Sequence, residues 1–274
     1  MEQIELSGVS RSVTSAYVFE NSAEEAGMRF EALAAMFDRG TKRHLEDRGV
    51  GPGWHCLEVG GGGGSIAAWL SARVGSKGRV VVTDIDPRYL ESIRVANLEV
   101  QRHNIVTDPL PEAAFDLIHS RLVLLHVPER ERALARMVAA LKPGAWLIDE
   151  EFDISISPDP TANPGEVRSK TFVAMNRIMD GRGVDRSFGR RLFERLRAHG
   201  LQSVDAEGRA FMWHGGSPGA LLLRSNYEQL RGAMVAAGYV TDEEFDEDVA
   251  RLDDPSFFMP SPILWAVWGR RPLS

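Results

Sequence analysis

The stretch CLEVGGGGGSIAAWL, residues 56–70, places five consecutive glycines between a short apolar run and a second apolar segment. The apolar residues before the glycines predict a buried strand, and the spacing in SIAAWLSARV, residues 65–74, predicts a helix. A glycine turn from strand to helix lets a ligand approach the backbone closely, because glycine has no Cβ. This stretch therefore predicts a ligand-binding loop at the end of a buried strand.

Strands and helices alternate along the chain on both sides of the glycine loop. Strands are predicted at 54–59, 79–84, 97–104, 115–120, 145–152 and 263–271. Helices are predicted at 65–74, directly after Pro87 and at 130–141. Alternation of helices with strands that are apolar on both faces is typical of a parallel sheet with right-handed crossovers.

The segments outside this alternating region are mostly helical. Ser22–Glu25 has the pattern of a capping box, and we expect residues 1–53 to form an N-terminal helical cap. Residues 54–274 are expected to form a second unit around the sheet, with a helical lid inserted at about 158–200. Segment 203–213 is either a strand pair or one bent strand, and further helices are predicted at 166–181, 190–200, 217–237 and 241–252.

Composition and charge exclude several classes of protein. The chain has 274 residues, is 43% hydrophobic and carries a formal net charge of −7, which disfavours a nucleic-acid or anionic-membrane surface. One cysteine rules out an internal disulfide, and no histidine pair has metal-ligand spacing. No signal peptide or membrane-spanning run is visible. We expect a cytoplasmic protein with a small-molecule acceptor and no metal, and a homodimer is a possible assembly.

Two acids beside the glycine loop indicate which ligand it receives. The spacing departs from the dinucleotide fingerprint, since Ser65 stands where a third glycine follows Gly60 and Gly62, and the P-loop ending is absent. Glu58, just before the loop, would repel a pyrophosphate and attract a cation. Asp84, at the end of the next strand, can accept hydrogen bonds from ribose hydroxyls. The combination points to S-adenosylmethionine, a nucleoside that carries a sulfonium and no phosphate.

Four motifs resemble those of class I S-adenosylmethionine-dependent methyltransferases, closest to the small-molecule enzymes of bacterial metabolism. They are LEVGGGGGS, VVVTDID, RHNIVTDPLPEAAFDLIHSRLVLLHVPE and LKPGAWLIDEEFD, and they span about residues 54–152. The resemblance implies an α/β fold: a Rossmann-like, doubly wound, seven-stranded, mostly parallel sheet with an antiparallel last strand. It also implies N-terminal helices and a helical insert after strand five.

The resemblance also implies cofactor-binding residues in this chain. The family pattern places them at Tyr17, Glu58, Gly60, Gly62, Gly64, Asp84, Ile85, Asn104, Ile105, Ser120 and Arg121. Phe19 is an alternative to Tyr17 as the aromatic side chain that closes over the methionine carboxylate. Asn104 stands where the family often has Asp, so it either accepts from the adenine amine or donates to a ring nitrogen.

Acceptor-binding residues are expected in the second half of the chain. Glu151, at the end of strand five, and His214 are the candidate bases, and Phe172, Met175, Asn176, Trp213 and Tyr227 are expected to line the acceptor pocket. The predicted reaction is methyl transfer by in-line displacement to C, N or O of a small aromatic or heterocyclic metabolite, for example an indole-like one. The alternative is a catalytically inactive cofactor-binding or regulatory protein, and a nicotinamide enzyme is a more distant third reading.

Overall fold

Helices and strands alternate through most of the computed structural model, which describes residues 18–19, 25–155 and 169–273. The helices are α1 (Ala26–Asp47), α2 (Ser65–Val74), α3 (Arg130–Ala140), α4 (Lys170–Gly181), α5 (Phe188–Ala198), α6 (Pro218–Ala236) and α7 (Asp242–Arg251). The strands are β1 (His55–Val59), β2 (Arg79–Asp84), β3 (Leu98–Arg102), β4 (Phe115–Arg121), β5 (Leu141–Asp153), β6 (Gln202–Arg209), β7 (Met212–His214), β8 (Phe258–Pro260) and β9 (Ile263–Arg270).

The central sheet of the described residues has seven strands in the order β3-β2-β1-β4-β5-β9-β6. Strands β1 to β5 pair in parallel, and β9 runs antiparallel to both of its neighbours, β5 and β6. The apolar runs in β1 and β2 are buried because helices cover the sheet. The strand order reverses between β1 and β4, and ligands of such sheets bind at the carboxyl ends beside that reversal. The predicted fold class is confirmed.

Four helices pack against one another and form a layer separate from the sheet. Helix α1 packs on α6, and α4 packs on α6 and α7; these four helices are called the helical cap below. Phe37 of α1 meets Phe152 of β5 edge-on, with ring centroids 5.6 Å apart, and this contact joins the cap to the sheet. None of the helices in the described residues is both long and apolar enough to cross a bilayer.

Several element boundaries differ from the sequence-based predictions. Residues Pro87–Tyr89 form one 3-10 turn instead of an α-helix, and β5 begins at Leu141 because it pairs with Phe115. Segment 203–213 divides between two sheets: β6 pairs with β9, and β7 pairs with β8. Most of the predicted capping box lies outside the described residues, and the Glu25 side chain makes no cap hydrogen bond.

The predicted lid insert divides between two layers. Helix α4 belongs to the helical cap, whereas α5 packs on β5 and β9 as a crossover helix. Helix α5 approaches β5 closely at Gly189, where an added Cβ would overlap the Glu151 carbonyl oxygen. The division of the chain at residue 53 stays a prediction.

Candidate active site

A cavity of about 980 Å³ lies at the carboxyl ends of β1, β2 and β4, beneath the helical cap. One end is walled by the glycine loop, residues 60–63, and by the ends of β2 and β3. Side chains from α4 and α6 wall the other end. The volume is at the upper end of the usual range for ligand pockets, which leaves space for two small molecules side by side.

The glycine loop presents bare backbone to this cavity. Gly60 N and Gly61 N donate to the Thr83 carbonyl at 2.8 and 3.0 Å, which ties the loop to β2. Gly60 and Gly62 have φ of +69° and +51°. An added Cβ would overlap Val123 at Gly60 and would lie 2.8 Å from the Phe30 ring at Gly62. The loop therefore fits a ligand that needs close backbone approach, as predicted for S-adenosylmethionine.

Asp84 sits at the end of β2, facing the cavity. Its Oδ2 accepts a hydrogen bond from Gly62 N and its Oδ1 accepts one from Asp86 N, both at 3.0 Å. Burial raises the pKa of Asp84, and the two backbone donors partly offset that effect. Ile85 follows with 41% of its surface exposed and also lines the cavity. An acceptor for hydroxyl groups thus lies beside an apolar surface.

Asn104 uses one end of its amide to shape the chain after β3. Its Oδ1 accepts from Val106 N at 2.9 Å, and its backbone N donates to Asp108 at 2.9 Å. Within the described ranges no residue accepts from its NH₂ group, which leaves that group for a ligand acceptor. Donation to a ring nitrogen, one of the two roles predicted for Asn104, would use this NH₂ group, and the second lone pair of Oδ1 leaves the other role open as well. Ile105 beside it lines the cavity.

Glu58 and Arg121 also line the cavity, and both are held by other protein groups. Glu58 Oε2 lies 2.7 Å from His119 Nδ1. Arg121 donates to Thr41 Oγ1 and Asp38 Oδ1, each at 3.0 Å. Arg121 therefore holds α1 over the end of β4, and this structural role is independent of any contact with a ligand.

Two predicted cofactor residues, Ser120 and Gly64, do not face the cavity. The Ser120 side chain is fully buried and donates to Asp149 Oδ1 at 2.5 Å, because strand alternation directs it away from Arg121. Gly64, with φ of +81°, is the N-cap of α2. A Cβ added to Gly64 would overlap Ile93, so it serves packing behind the loop. Tyr17 lies outside the described residues, whereas Phe19, its alternative, lines the cavity.

Neither predicted base reaches the cavity. Glu151 is fully buried, and its Oε1 accepts from Val123 N at 3.0 Å and from Leu124 N at 2.6 Å. Burial and the neighbouring Asp149 carboxyl raise the pKa of Glu151 well above its ordinary value. His214 is exposed on β7, with Nδ1 3.2 Å from the Gly215 carbonyl. Neither side chain is therefore placed against the cavity, and the assignment of a base at either position stays a prediction.

The end of the cavity under the helical cap is apolar, and it is called the acceptor chamber below. Its described wall consists of Phe152, Ile154, Phe172, Met175, Met179, Trp213, Leu222, Leu223, Asn226 and Pro262. Phe172, Met175 and Trp213 were predicted to line it and do so. Asn176 and Tyr227 are buried outside it, and the Tyr227 hydroxyl lies 3.4 Å from Ser169 Oγ.

Several cavity residues were not predicted from the sequence. Phe30 covers the glycine loop, and the guanidinium carbon of Arg29 lies 4.7 Å from the Phe30 ring centroid. Val123 packs against Gly60, and Asn226 is the one amide side chain among the described residues of the acceptor chamber. His126 also lines the cavity; burial, with Arg29 and Arg130 nearby, lowers its pKa to about 3, so it is neutral. A single sequence carries no signal for these contacts, because each joins separate elements.

Comparison with known proteins agrees with this geometry. A family model described as a methyltransferase domain matches residues 57–149. The ubiquinone/menaquinone biosynthesis C-methyltransferase UbiE of Enterobacter sp. (strain 638) is 32% identical over 193 residues, 67% of this chain and 76% of that protein. This chain covers 59% and 56% of the proteins of the same name from Shewanella piezotolerans and Vibrio vulnificus.

Two solved structures share the fold at low sequence identity. Phosphoethanolamine N-methyltransferase 2 of Haemonchus contortus, in complex with S-adenosyl-L-methionine, has a TM-score of 0.61 and 14% identity, covering 96% of this chain and 61% of that one. The [4+2]-cyclase SpnF has a TM-score of 0.51 and 18% identity, covering 86% of this chain and 82% of that one.

The chain belongs to the class I S-adenosylmethionine-dependent methyltransferases. It is an S-adenosylmethionine-dependent methyltransferase enzyme, and S-adenosylmethionine is its cofactor.

Proposed function

We propose that this enzyme methylates a ring carbon of a small, apolar, aromatic or heterocyclic acceptor. The observation that carries the proposal is one continuous cavity that runs from the glycine loop to the acceptor chamber. Relatives named as C-methyltransferases of ubiquinone and menaquinone biosynthesis support carbon as the methylated atom. The aromatic and apolar side chains of the acceptor chamber support a flat, apolar acceptor.

We further propose how the described residues hold the cofactor. Asp84 accepts from the ribose hydroxyls, Ile85 and Ile105 pack on the adenine faces, and the Asn104 NH₂ group donates to a ring nitrogen. The backbone at Gly60 and Gly62 holds the methionine half. When bound, S-adenosylmethionine supplies an electrophilic methyl group that an acceptor attacks in line with the departing sulfur. The contribution of the chain is to fix that alignment and to exclude water.

The composition of the acceptor chamber bears on the kind of nucleophile. None of its described wall residues titrates, and Glu151 and His214 lie elsewhere. General-base help is needed only where the attacking atom must first lose a proton. We therefore favour an acceptor whose attacking atom is already electron-rich, such as an indole or hydroquinone ring carbon, which forms the bond to the methyl group first and then releases its ring proton to solvent. This choice narrows the C, N or O of the sequence-based prediction.

Transfer of a labelled methyl group tests the proposal directly. The purified chain is incubated with methyl-labelled S-adenosylmethionine and separate panels of indoles, hydroquinones, primary amines and phosphoethanolamine. We expect label on a ring carbon of an indole or hydroquinone, located by NMR, and none on phosphoethanolamine. Label on amines alone would contradict the ring-carbon assignment. Cofactor binding without label in any panel would favour the rival, an inactive cofactor-binding protein.

A further inference from the structure

A buried histidine, His119 of β4, bridges two buried carboxylates that come from different strands. Its Nδ1 lies 2.7 Å from Oε2 of Glu58 on β1, and its Nε2 lies 3.4 Å from Oε2 of Glu150 on β5. His119 and Glu150 are fully buried, and Glu58 is 4% exposed. Neither His119 nor Glu150 lines the cavity, so a ligand meets this cluster through Glu58.

Glu150 has polar and charged partners in addition to His119. Arg209 of β6 donates to its Oε1 at 2.6 Å, and the Thr41 hydroxyl of α1 donates to its Oε2. Arg121 donates in turn to Thr41. Burial alone would raise the pKa of Glu150, but His119, Arg121 and Arg209 together lower it to about 2. Glu150 is therefore ionised at neutral pH.

Glu58 forms its ion pair with His119. Among the residues that the structure describes, His119 is its one ion-pair partner. On the other side of His119, the Asp149 carboxyl of β5 is bonded to Ser120 and has its pKa raised to about 7 by burial. The charged or titratable groups around His119 are thus Glu58, Glu150 and Asp149.

The two contacts of His119 match those of an imidazolium, which donates from both ring nitrogens. A neutral imidazole would turn a lone pair toward one of the two carboxylate oxygens, whereas an imidazolium donates to both. Burial by itself lowers the pKa of His119, and Glu58 and Glu150 more than offset this, raising it from 6.5 to about 9. Hydrogen-bond geometry and charge therefore agree on an imidazolium.

We infer that His119 is a positioning residue whose ring faces the Glu58 carboxylate and holds it in the wall of the cofactor cleft. The inference rests on the proposed placement of the cationic cofactor beside Glu58. The Glu58 carboxylate, held in this position, attracts the positive charges of S-adenosylmethionine. Without the imidazolium, a carboxyl this deeply buried takes up a proton. Cofactor binding then has to drive that proton from Glu58 into the buffer.

Proton release during cofactor binding is the measurement that isolates this role. S-adenosylmethionine is titrated calorimetrically at pH 7 in buffers of different ionisation enthalpy, which gives the protons exchanged per cofactor bound. Relative to the wild type, His119→Leu and His119→Gln are expected to release up to one additional proton. Their affinity is expected to be about tenfold weaker at pH 7 and to recover as the pH rises, because Glu58 must first ionise.

Two controls separate the proposal from general damage to the sheet. His55→Gln removes a half-buried histidine from the opposite end of β1, where Nδ1 lies 3.0 Å from the Ala114 carbonyl, and should match the wild type. Glu58→Gln combined with His119→Leu should abolish the additional proton. If His119→Leu does not fold, His119→Gln, which keeps a donor, provides the same comparison.

The outcomes distinguish this proposal from the proposed function. Weaker binding of the His119 variants with no additional proton, or an additional proton that persists in the double variant, would overturn the inference. Wild-type protein that binds no S-adenosylmethionine would instead contradict the cofactor placement on which the inference depends.

Discussion

At the scale of single residues, position decides what a carboxylate can do. Glu58, Asp84 and Glu151 all stand at the ends of parallel strands, and each has a different partner: an imidazole, the glycine loop, and the turn after β4. The side chain is the same chemical group in all three places. The direction of the strand pleat and the nearest donor determine whether it faces a ligand or supports the backbone.

Replacement of Asp84 tests the ribose assignment. Asp84→Ala is expected to weaken S-adenosylmethionine binding by roughly 1–3 kcal/mol, because it removes an ionised acceptor and leaves Gly62 N without its partner. Asp84→Asn keeps one acceptor oxygen, so its loss of binding free energy should be smaller. Calorimetric titration of the three proteins checks this, and equal affinities would remove Asp84 from the cofactor site.

Substitutions of Glu151 test whether its carboxyl acts as a catalytic base or only accepts hydrogen bonds from the backbone. Glu151→Gln keeps a carbonyl oxygen for Val123 N and Leu124 N, so turnover is expected to stay within a few-fold of the wild type. Glu151→Ala leaves both donors unpaired and should destabilise the fold by about 1–3 kcal/mol. Labelled methyl transfer and urea unfolding measure the two effects. Loss of turnover in Glu151→Gln, with stability unchanged, would restore a catalytic role.

At the scale of elements, the glycine loop depends on what surrounds it as much as on its own sequence. Helix α1 places Phe30 against Gly62 and Gly63, and the turn after β4 places Val123 against Gly60. The loop is thus clamped between two elements that are distant in sequence. Its glycines are needed for these contacts as well as for their positive φ.

A pair of glycine substitutions separates those two requirements. Gly60 and Gly75 have φ of +69° and +64°, but an added Cβ would overlap Val123 only at Gly60 and would meet open space at Gly75. Gly75→Ala is expected to cost only the backbone strain of about 1–3 kcal/mol, because its φ of +64° and ψ of −173° lie in a region almost confined to glycine, and cofactor affinity should be unchanged. Gly60→Ala should also lose cofactor affinity at least tenfold, because Val123 or the loop must move. Thermal melts and cofactor titration report the two effects, and equal affinity in both variants would contradict this packing argument.

The helical cap should control the acceptor and not the cofactor. Phe172→Ala removes a ring from α4 in the acceptor chamber, so we expect kcat/KM for the acceptor to fall about tenfold or more while cofactor affinity is unchanged. Leu221→Ala, an exposed position on α6 with 42% of its surface accessible, is the matched control. A fall in cofactor affinity equal to the fall in kcat/KM would argue that the chamber and the cofactor end are not separate.

At the scale of the whole molecule, one buried polar network joins the sheet to the helical cap. It runs from Glu58 through His119 and Glu150 to Thr41 of α1. Arg121 continues it from Thr41 to Asp38, which also accepts from Ser65 at the start of α2. Opening the cap at α1 would expose this network partner by partner, so we expect the cap and sheet to unfold together.

The same network makes stability depend on pH in a predictable direction. The pKa of His119 rises from 6.5 to about 9 on folding, so its contribution is present below pH 6.5 and is lost as the pH rises through 9. The pKa of Glu150 falls from 4.5 to about 2, so its contribution is present above pH 4.5 and is lost as the pH falls through 2. Urea unfolding should show a larger loss of stability from pH 6.5 to 9.5 in the wild type than in His119→Gln. Parallel losses in the two proteins would contradict this assignment.

The fold and the cofactor end of the site were largely predictable from local sequence. Alternating apolar runs predicted the strands, and the glycine loop with Glu58 and Asp84 predicted the end of the sheet at which the cavity lies. The sequence predicted both Ser120 and Arg121 at the cofactor site. Successive residues of a strand point to opposite faces, so only Arg121 lines the cavity. The acceptor chamber was predicted only in part, because residues of α4, α6 and β7 meet there through packing alone.

By itself the sequence determined the class of fold and the identity of the cofactor, because periodicity, glycine spacing and acids at strand ends are local properties of the chain. Only the tertiary structure decided which carboxylates face the cavity, that His119 lies between Glu58 and Glu150, and that Phe30 and Val123 cover the loop. These contacts join residues far apart in the chain. Their directions are fixed by strand register and helix packing, which no local pattern specifies.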